Sequence, residues 1–164
     1  MFSGGVDSTY AVLKIAKDFD KLILLTYKTL GMINVNFSKR SYRQLKKIFG
    51  KKISNKIIDI GDFVYFLRGG ILKCVQDNLK YKFYYSWYLG CKLAMHLYTI
   101  SYCKKNNINV VLDGSNAYDL HALEQHQDVK EAFHKIYQEN GINFRIPFYH
   151  EKGIIGRYDK KVYY

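Results

Sequence analysis

The stretch Ser3-Gly4-Gly5-Val6-Asp7-Ser8 decides how this chain is read. It stands just after Phe2 and just before Thr9 to Lys17, where Tyr10, Leu13 and Ala16, or Ala11 and Ile15, recur at helical spacing. A helix is therefore expected to begin at the turn. Two adjacent glycines let a backbone turn tightly and approach a phosphate with no Cβ in the way, and the N–H groups of a first helical turn point at such an anion. The hydroxyls of Ser3 and Ser8 can add donors, and Asp7 is placed to hold Mg²⁺ against the phosphates. The plainer alternative is a Ser/Gly turn that only caps a helix. The turn lacks the Gly-Lys-Ser/Thr ending of a Walker A loop. No lysine is then aimed at terminal phosphates, and γ-phosphoryl transfer is not the expected reaction.

Outward from the turn, the apolar run within Lys21 to Tyr27 is short enough for a buried parallel strand, and Gly31 to Phe37 reads as loop. Ser38 caps an expected helix to Phe49, stopped by Gly50. Lys56 to Ile60 is a candidate strand, and Asp62 to about Asn78 a helical stretch weakened by Gly69 and Gly70. The aromatic segment Tyr81 to Tyr88 favours neither state. A long helix is predicted over Leu89 to Asn107, a short strand over Asn109 to Leu112 and a polar loop over Asp113 to Asp119. Leu120 to Glu139 reads as helix, closed by Asn140-Gly141, with a last strand over Ile142 to Ile146. Strands alternating with helices imply an α/β fold with right-handed crossovers and a parallel sheet covered on both faces.

The opening turn carries the SGGxDS signature of the PP-loop family of ATP pyrophosphatases, and the chain resembles that family. At average composition its five fixed positions arise by chance in roughly one of several thousand chains of this length. A second resemblance runs from Gly90-Cys91-Lys92 to Asp113-Gly114-Ser115-Asn116-Ala117-Tyr118-Asp119, similar to the family's Cys-Lys helix, strand and Gly-x-Asn-x-x-Asp loop. Weaker similarity covers Arg145-Ile146-Pro147-Phe148 with Lys152 and Ile155. The resemblance implies a Rossmann-like domain of the adenine nucleotide alpha hydrolase type over 1–164. It implies ATP bound by Ser3, Gly4, Gly5, Val6, Asp7, Ser8, Gly114 and Asp119, and Mg²⁺ held by Asp7 and Asp119. The β- and γ-phosphates would leave as pyrophosphate once a substrate oxygen attacks the α-phosphorus, so that sulfur or nitrogen can replace that oxygen. Asp7, Cys91 and Lys92 are the implied catalytic residues. For Gly114 and Asp119 the alternative is a plain strand-to-helix loop with Asp119 as N-cap.

Two departures from the family qualify the comparison. Only Met1 and Phe2 precede the turn, whereas a strand takes about five or six residues, so the first strand is expected to be nearly absent. The chain stops at Tyr164, where relatives carry a further substrate-binding region, and the domain is expected to be cut short at both ends. The C-terminal cysteine set of a 7-cyano-7-deazaguanine synthase is not present, while an amidotransferase-type synthetase stays open. The rival from another class is a catalytically inactive nucleotide- or RNA-binding module of the same fold.

Cys74, Cys91 and Cys103 are an odd number without C-x-x-C spacing, which argues against a disulfide framework and a four-cysteine zinc site. Tyr88 stands where a C-x-x-C partner of Cys91 would be. At the start of its predicted helix, beside Lys92, Cys91 is the candidate reactive thiol. The alternative is a buried structural cysteine. His121 and His126 are five apart, which does not put them on one helical face as a zinc pair. With no long apolar run and no signal-peptide pattern, a cytoplasmic protein without a membrane span is expected. The net charge of +12 favours a polyanionic partner such as tRNA, or nucleotide phosphates, and a lysine-rich proteome would account for it as well. Between Lys39 and Lys56 stand eight basic residues and no acid, interleaved with Tyr42 and Phe49, a pattern that can track an RNA backbone or form a solvated face. A homodimer is compatible with the resemblance.

Overall fold

A computed structural model describes residues 1–29, 35–67, 83–115 and 123–150, which form an α/β arrangement of parallel strand pairs and helices. In chain order the elements are α1 (Val6–Ile15), β1 (Leu22–Lys28), α2 (Val35–Phe49), β2 (Ile53–Asp59) and α3, described over 61–67. There follow α4 (Phe83–Lys105), β3 (Val110–Leu112), α5 (Gln127–Glu139) and β4 (Asn143–Arg145). β1 pairs with β2 from Leu22↔Ile53 to Lys28↔Asp59, and β3 with β4 from Val110↔Asn143 to Leu112↔Arg145, both in parallel. Parallel neighbours need a crossover connection, in which α2 and α5 lie.

The period of two along β1 sorts its side chains onto two faces. Leu22 and Leu24 pack with Val12 and Ala16, with Leu45 of α2 and with Ile53, whereas Leu25 and Tyr27 pack with Val64 of α3 and with Cys91, Ala94 and Met95 of α4. Helices therefore cover both faces of this pair. Ile100 and Cys103 of α4 join Phe133 and Tyr137 of α5 over Val111, Ile142 and Phe144, closing the second pair.

Met1 and Phe2 lie between the two pairs and tie them together. The Phe2 N–H donates to the Leu25 carbonyl at 2.8 Å, Thr26 Oγ1 donates to the Phe2 carbonyl at 2.9 Å, and the Met1 amino nitrogen donates to the Leu112 carbonyl at 2.6 Å. Neither residue is long enough in reach to form a strand, as expected. A cavity of about 360 Å³ lies between β1 and β3, with Leu22, Ile23 and Leu24 on one side and Val110 and Val111 on the other. Because N–H and C=O groups alternate sides along a strand, Ile23 directs both toward this cavity, on the same side as the Leu25 carbonyl. On β3 the Asn109 carbonyl and Asp113 N–H bond to β4, so Val110 directs its pair the other way, also into the cavity.

Several boundaries differ from those expected. α2 begins at Val35, and Ser38 is not its cap but a buried interior residue whose hydroxyl donates to the Val35 carbonyl at 2.9 Å. β2 begins at Ile53 instead of Lys56. α4 begins at Phe83, six residues before Leu89, so the aromatic segment of no clear preference is helical from there. In place of one helix over Leu120 to Glu139, a short 3₁₀ turn at Leu123–Gln125 precedes α5. The stops at Gly50 and Gly141 hold, at φ +55° and +69°, as does Asn107 at φ +52°. Among the described residues no helix is long and apolar enough to cross a membrane.

Candidate functional site

Gly4 and Gly5 lead directly into α1, with Gly5 as N-cap and no side chain bonded as a cap. Gly4 is buried at φ +81°, and a Cβ there would lie 2.4 Å from Ser38 Cα and 2.6 Å from Ser38 N. Only glycine combines that backbone conformation with so close an approach of another chain segment. Ser41 Oγ, one turn further along α2, donates to the Gly4 carbonyl at 2.7 Å and fixes the contact. The start of α2 is thus seated on the turn.

The two serines serve the turn itself. Ser8 Oγ accepts from the Gly4 N–H at 3.1 Å and donates to the Gly5 carbonyl at 3.1 Å, and Ser3 Oγ accepts from the Gly5 N–H at 3.2 Å and lies 3.1 Å from Ser8 Oγ. Both hydroxyls shape the loop, and that of Ser3 lies at the exposed side of the turn. Val6 is exposed and Asp7 partly so, both in the first turn of α1, where backbone N–H groups have no acceptor within a helix. The outcome is a pre-shaped, uncapped helix start with one carboxylate beside it.

Gly114 comes to the same place from β3. A Cβ on it would meet Ser8 Cα at 3.0 Å, so the loop after β3 presses on the backbone of the first turn of α1. The structure thereby brings together residues more than a hundred positions apart that the sequence assigned to one site. Asp119 and Asn116 lie outside the described residues, as do Cys74, His121, Lys152 and Ile155. Among the described residues no group of three or more His, Cys, Asp or Glu gathers as a metal cage. Asp7, at the uncapped start of α1, is the kind of ligand Mg²⁺ takes, one or two carboxylates with phosphate oxygens and water completing the shell.

Cys91 is not at a helix start. It lies in the interior of α4, 0% exposed, and burial pushes its thiol up, opposed by a hydrogen bond with Thr29. Reactive thiols sit in electropositive, partly exposed places, so the expected low-pKa thiolate at a helix N-terminus does not hold here. Cys103 is buried too and its thiol is raised for the same reason. Lys92, next to Cys91, turns toward Asp113 instead, with Nζ 3.3 Å from Oδ2.

Asp113 is the hub of a cluster that the sequence alone did not reveal. Its buried carboxylate meets Lys92 of α4 and Lys130 of α5, each at 3.3 Å, and accepts from Ser115 Oγ at 2.7 Å. Lys130 Nζ also donates to Ser115 Oγ at 2.7 Å. Burial would raise the Asp113 carboxyl, but the two ammonium groups hold it well below the usual range. Burial lowers Lys130 to about 8, against the upward pull of Asp113. His96 stacks on Phe133 at 3.7 Å and meets the Tyr137 hydroxyl through Nδ1 at 3.1 Å. Burial and the neighbouring Lys92 keep its ring well below its ordinary pKa. One signal for Lys130 did stand in the sequence: it shares the apolar helical face of Phe133 and Tyr137, three and seven positions on.

A scan against protein-family models returns no match for this chain, and a search of curated proteins returns none either.

Proposed function

We propose that the chain binds MgATP at Ser3 to Ser8 and adenylates a substrate oxygen with release of pyrophosphate. The observation that carries this reading is Gly4 at φ +81°, closed in by α2 and leading into an uncapped helix start against which Gly114 is packed. The N–H groups at that start receive the β- and γ-phosphates, and the two glycines let them come close. Asp7 holds Mg²⁺, which neutralises charge on the departing pyrophosphate. Asp119 is the second carboxylate in this reading. Lys92 acts through Asp113 and does not reach for a phosphate. Sulfur or nitrogen then replaces the activated oxygen, with the incoming group supplied by a separate donor, since Cys91 is enclosed. The same reading takes 1–164 as one Rossmann-like PP-loop domain in which Met1 and Phe2 occupy the place of a central strand.

A polyanionic acceptor such as tRNA is favoured by one specific contact. The start of α2 abuts Gly4, and from there Lys39, Arg40, Arg43 and Lys47 run along its exposed face. The rival reading, a nucleotide-binding module without turnover, parts from this one on pyrophosphate release.

Asp7→Ala is expected to weaken magnesium-dependent ATP binding at least tenfold, because a carboxylate that anchors the cation is removed. Calorimetric titration of both proteins with ATP, with and without Mg²⁺, measures it. Equal MgATP affinity in the variant would defeat the proposed metal site.

A further inference from the structure

We propose that Lys130 is a positioning residue: from the inner face of α5 it clamps the Asp113–Ser115 turn and so holds Gly114 against Ser8 at the start of α1. This rests on the reading of that helix start as a nucleotide site. The clamp has three points. Lys130 Nζ reaches Asp113 Oδ2 and Ser115 Oγ, and Ser115 Oγ closes the triangle on the same carboxylate oxygen. Gly114 is the residue between the two that are held, and it is the one in contact with the Ser8 backbone. A lysine 2% exposed in the middle of an apolar helix face loses more in desolvation than any surface cation, so its place there calls for a specific bond set, which this triangle supplies.

Charge points the same way. Lys92 and Lys130 outnumber the single carboxylate they share, so these three side chains together carry one unit of positive charge in low dielectric. Among the described residues, the groups around Lys130 are Asp113 after β3, Lys92 and His96 of α4 and Glu124 in the turn before α5, and the Met1 amino group acts on Asp113, Lys92 and His96. His96 is neutral and Asp113 charged throughout the neutral and mildly alkaline range. Cys91 and Cys103 are raised by burial. Burial lowers the Met1 amino group from its ordinary value, and Lys130, at about 8, is the side chain that changes charge just above neutrality. As pH rises through that value Lys130 gives up its proton, the positive excess over Asp113 is lost, and a bound polyanion loses attraction.

The experiment follows the Gly114 carbon resonances in glycine-labelled protein from about pH 7 to about pH 9.5, and MgATP affinity over the same range, above the last titration of ATP itself. In the wild type, Gly114 is expected to titrate with a midpoint near 8, and MgATP affinity to fall roughly tenfold. In Lys130→Met both responses should disappear, with affinity low and flat. Ser115→Ala, which keeps both ion pairs and is the milder change, should move the Gly114 midpoint to lower pH because the ammonium loses an acceptor. A Gly114 signal that does not move with pH in the wild type overturns the clamp. A Gly114 midpoint near 8 that vanishes in Lys130→Met supports the clamp even if MgATP fails to bind, a result that would remove the nucleotide reading alone.

Discussion

Gly4→Ala is expected to destabilise the protein by about 3 kcal/mol or more and to abolish nucleotide binding. Two separate effects add. An L side chain at φ +81° costs about 1–2 kcal/mol, and a Cβ 2.4 Å from Ser38 Cα forces backbone to move, at a further cost of about 1–3 kcal/mol. Backbone cannot swing aside as a flexible side chain can, so the start of α2 must lift from the turn. For a chain of this size the loss corresponds to a fall of roughly 6–12 °C in Tm. Gly141→Ala serves as the control: it shares a positive φ, at +69°, but a Cβ there meets nothing within 4 Å, so only the conformational cost of about 1 kcal/mol applies. Thermal melts of the two variants check the difference. Equal losses would mean that Gly4 is needed for its conformation alone and that the contact with α2 is soft.

The second large effect is a gain. Joining five apolar, β-branched residues ahead of Met1 is expected to raise Tm by about 5–10 °C. The added segment continues the direction of Met1 and Phe2 into the cavity of about 360 Å³, where Ile23 and Val110 present backbone groups from the two sides. Burial of each β-branched side chain contributes about 1.5–3 kcal/mol and ordering each residue costs about 1–2 kcal/mol, leaving roughly 2–4 kcal/mol for the segment. An extension of equal length that carries proline and aspartate should give no gain, since proline cannot donate to a neighbouring strand and aspartate cannot be buried there unpaired. If the apolar extension left Tm unchanged, the two strand pairs would not be halves of one sheet with room for a further strand.

What the sequence made legible was local. The turn at Ser3 to Ser8 could be read because glycine pairs, short polar side chains and a following helical period report directly on backbone conformation. The strand core at Leu22 to Leu25 and the stops at Gly50, Asn107 and Gly141 were readable for the same kind of reason. The start of α4 was not. A helix packed on several sides shows little periodicity, and the aromatic run before Leu89 has strand-like composition, so Phe83 as its first residue depends on tertiary packing. The helix-start argument for Cys91 fell with that boundary, because a helix start favours the thiolate whereas burial in the helix interior raises the thiol. Ser38 looked like a cap by type and turned out to bond back within the helix. The Asp113–Lys130–Ser115 triangle joins the loop after β3 to α5, and its geometry could not be read from spacing along either one.

The most direct measurement follows the backbone resonances of Gly4, Gly5, Val6 and Gly114 while MgATP is titrated into the protein. These four are expected to shift together and to saturate at one ligand concentration, with far smaller changes along the exposed basic face of α2. Saturation on that basic face, at Lys39, Arg43 and Lys47, with the glycines of the turn unmoved, would contradict a nucleotide site at Ser3 to Ser8.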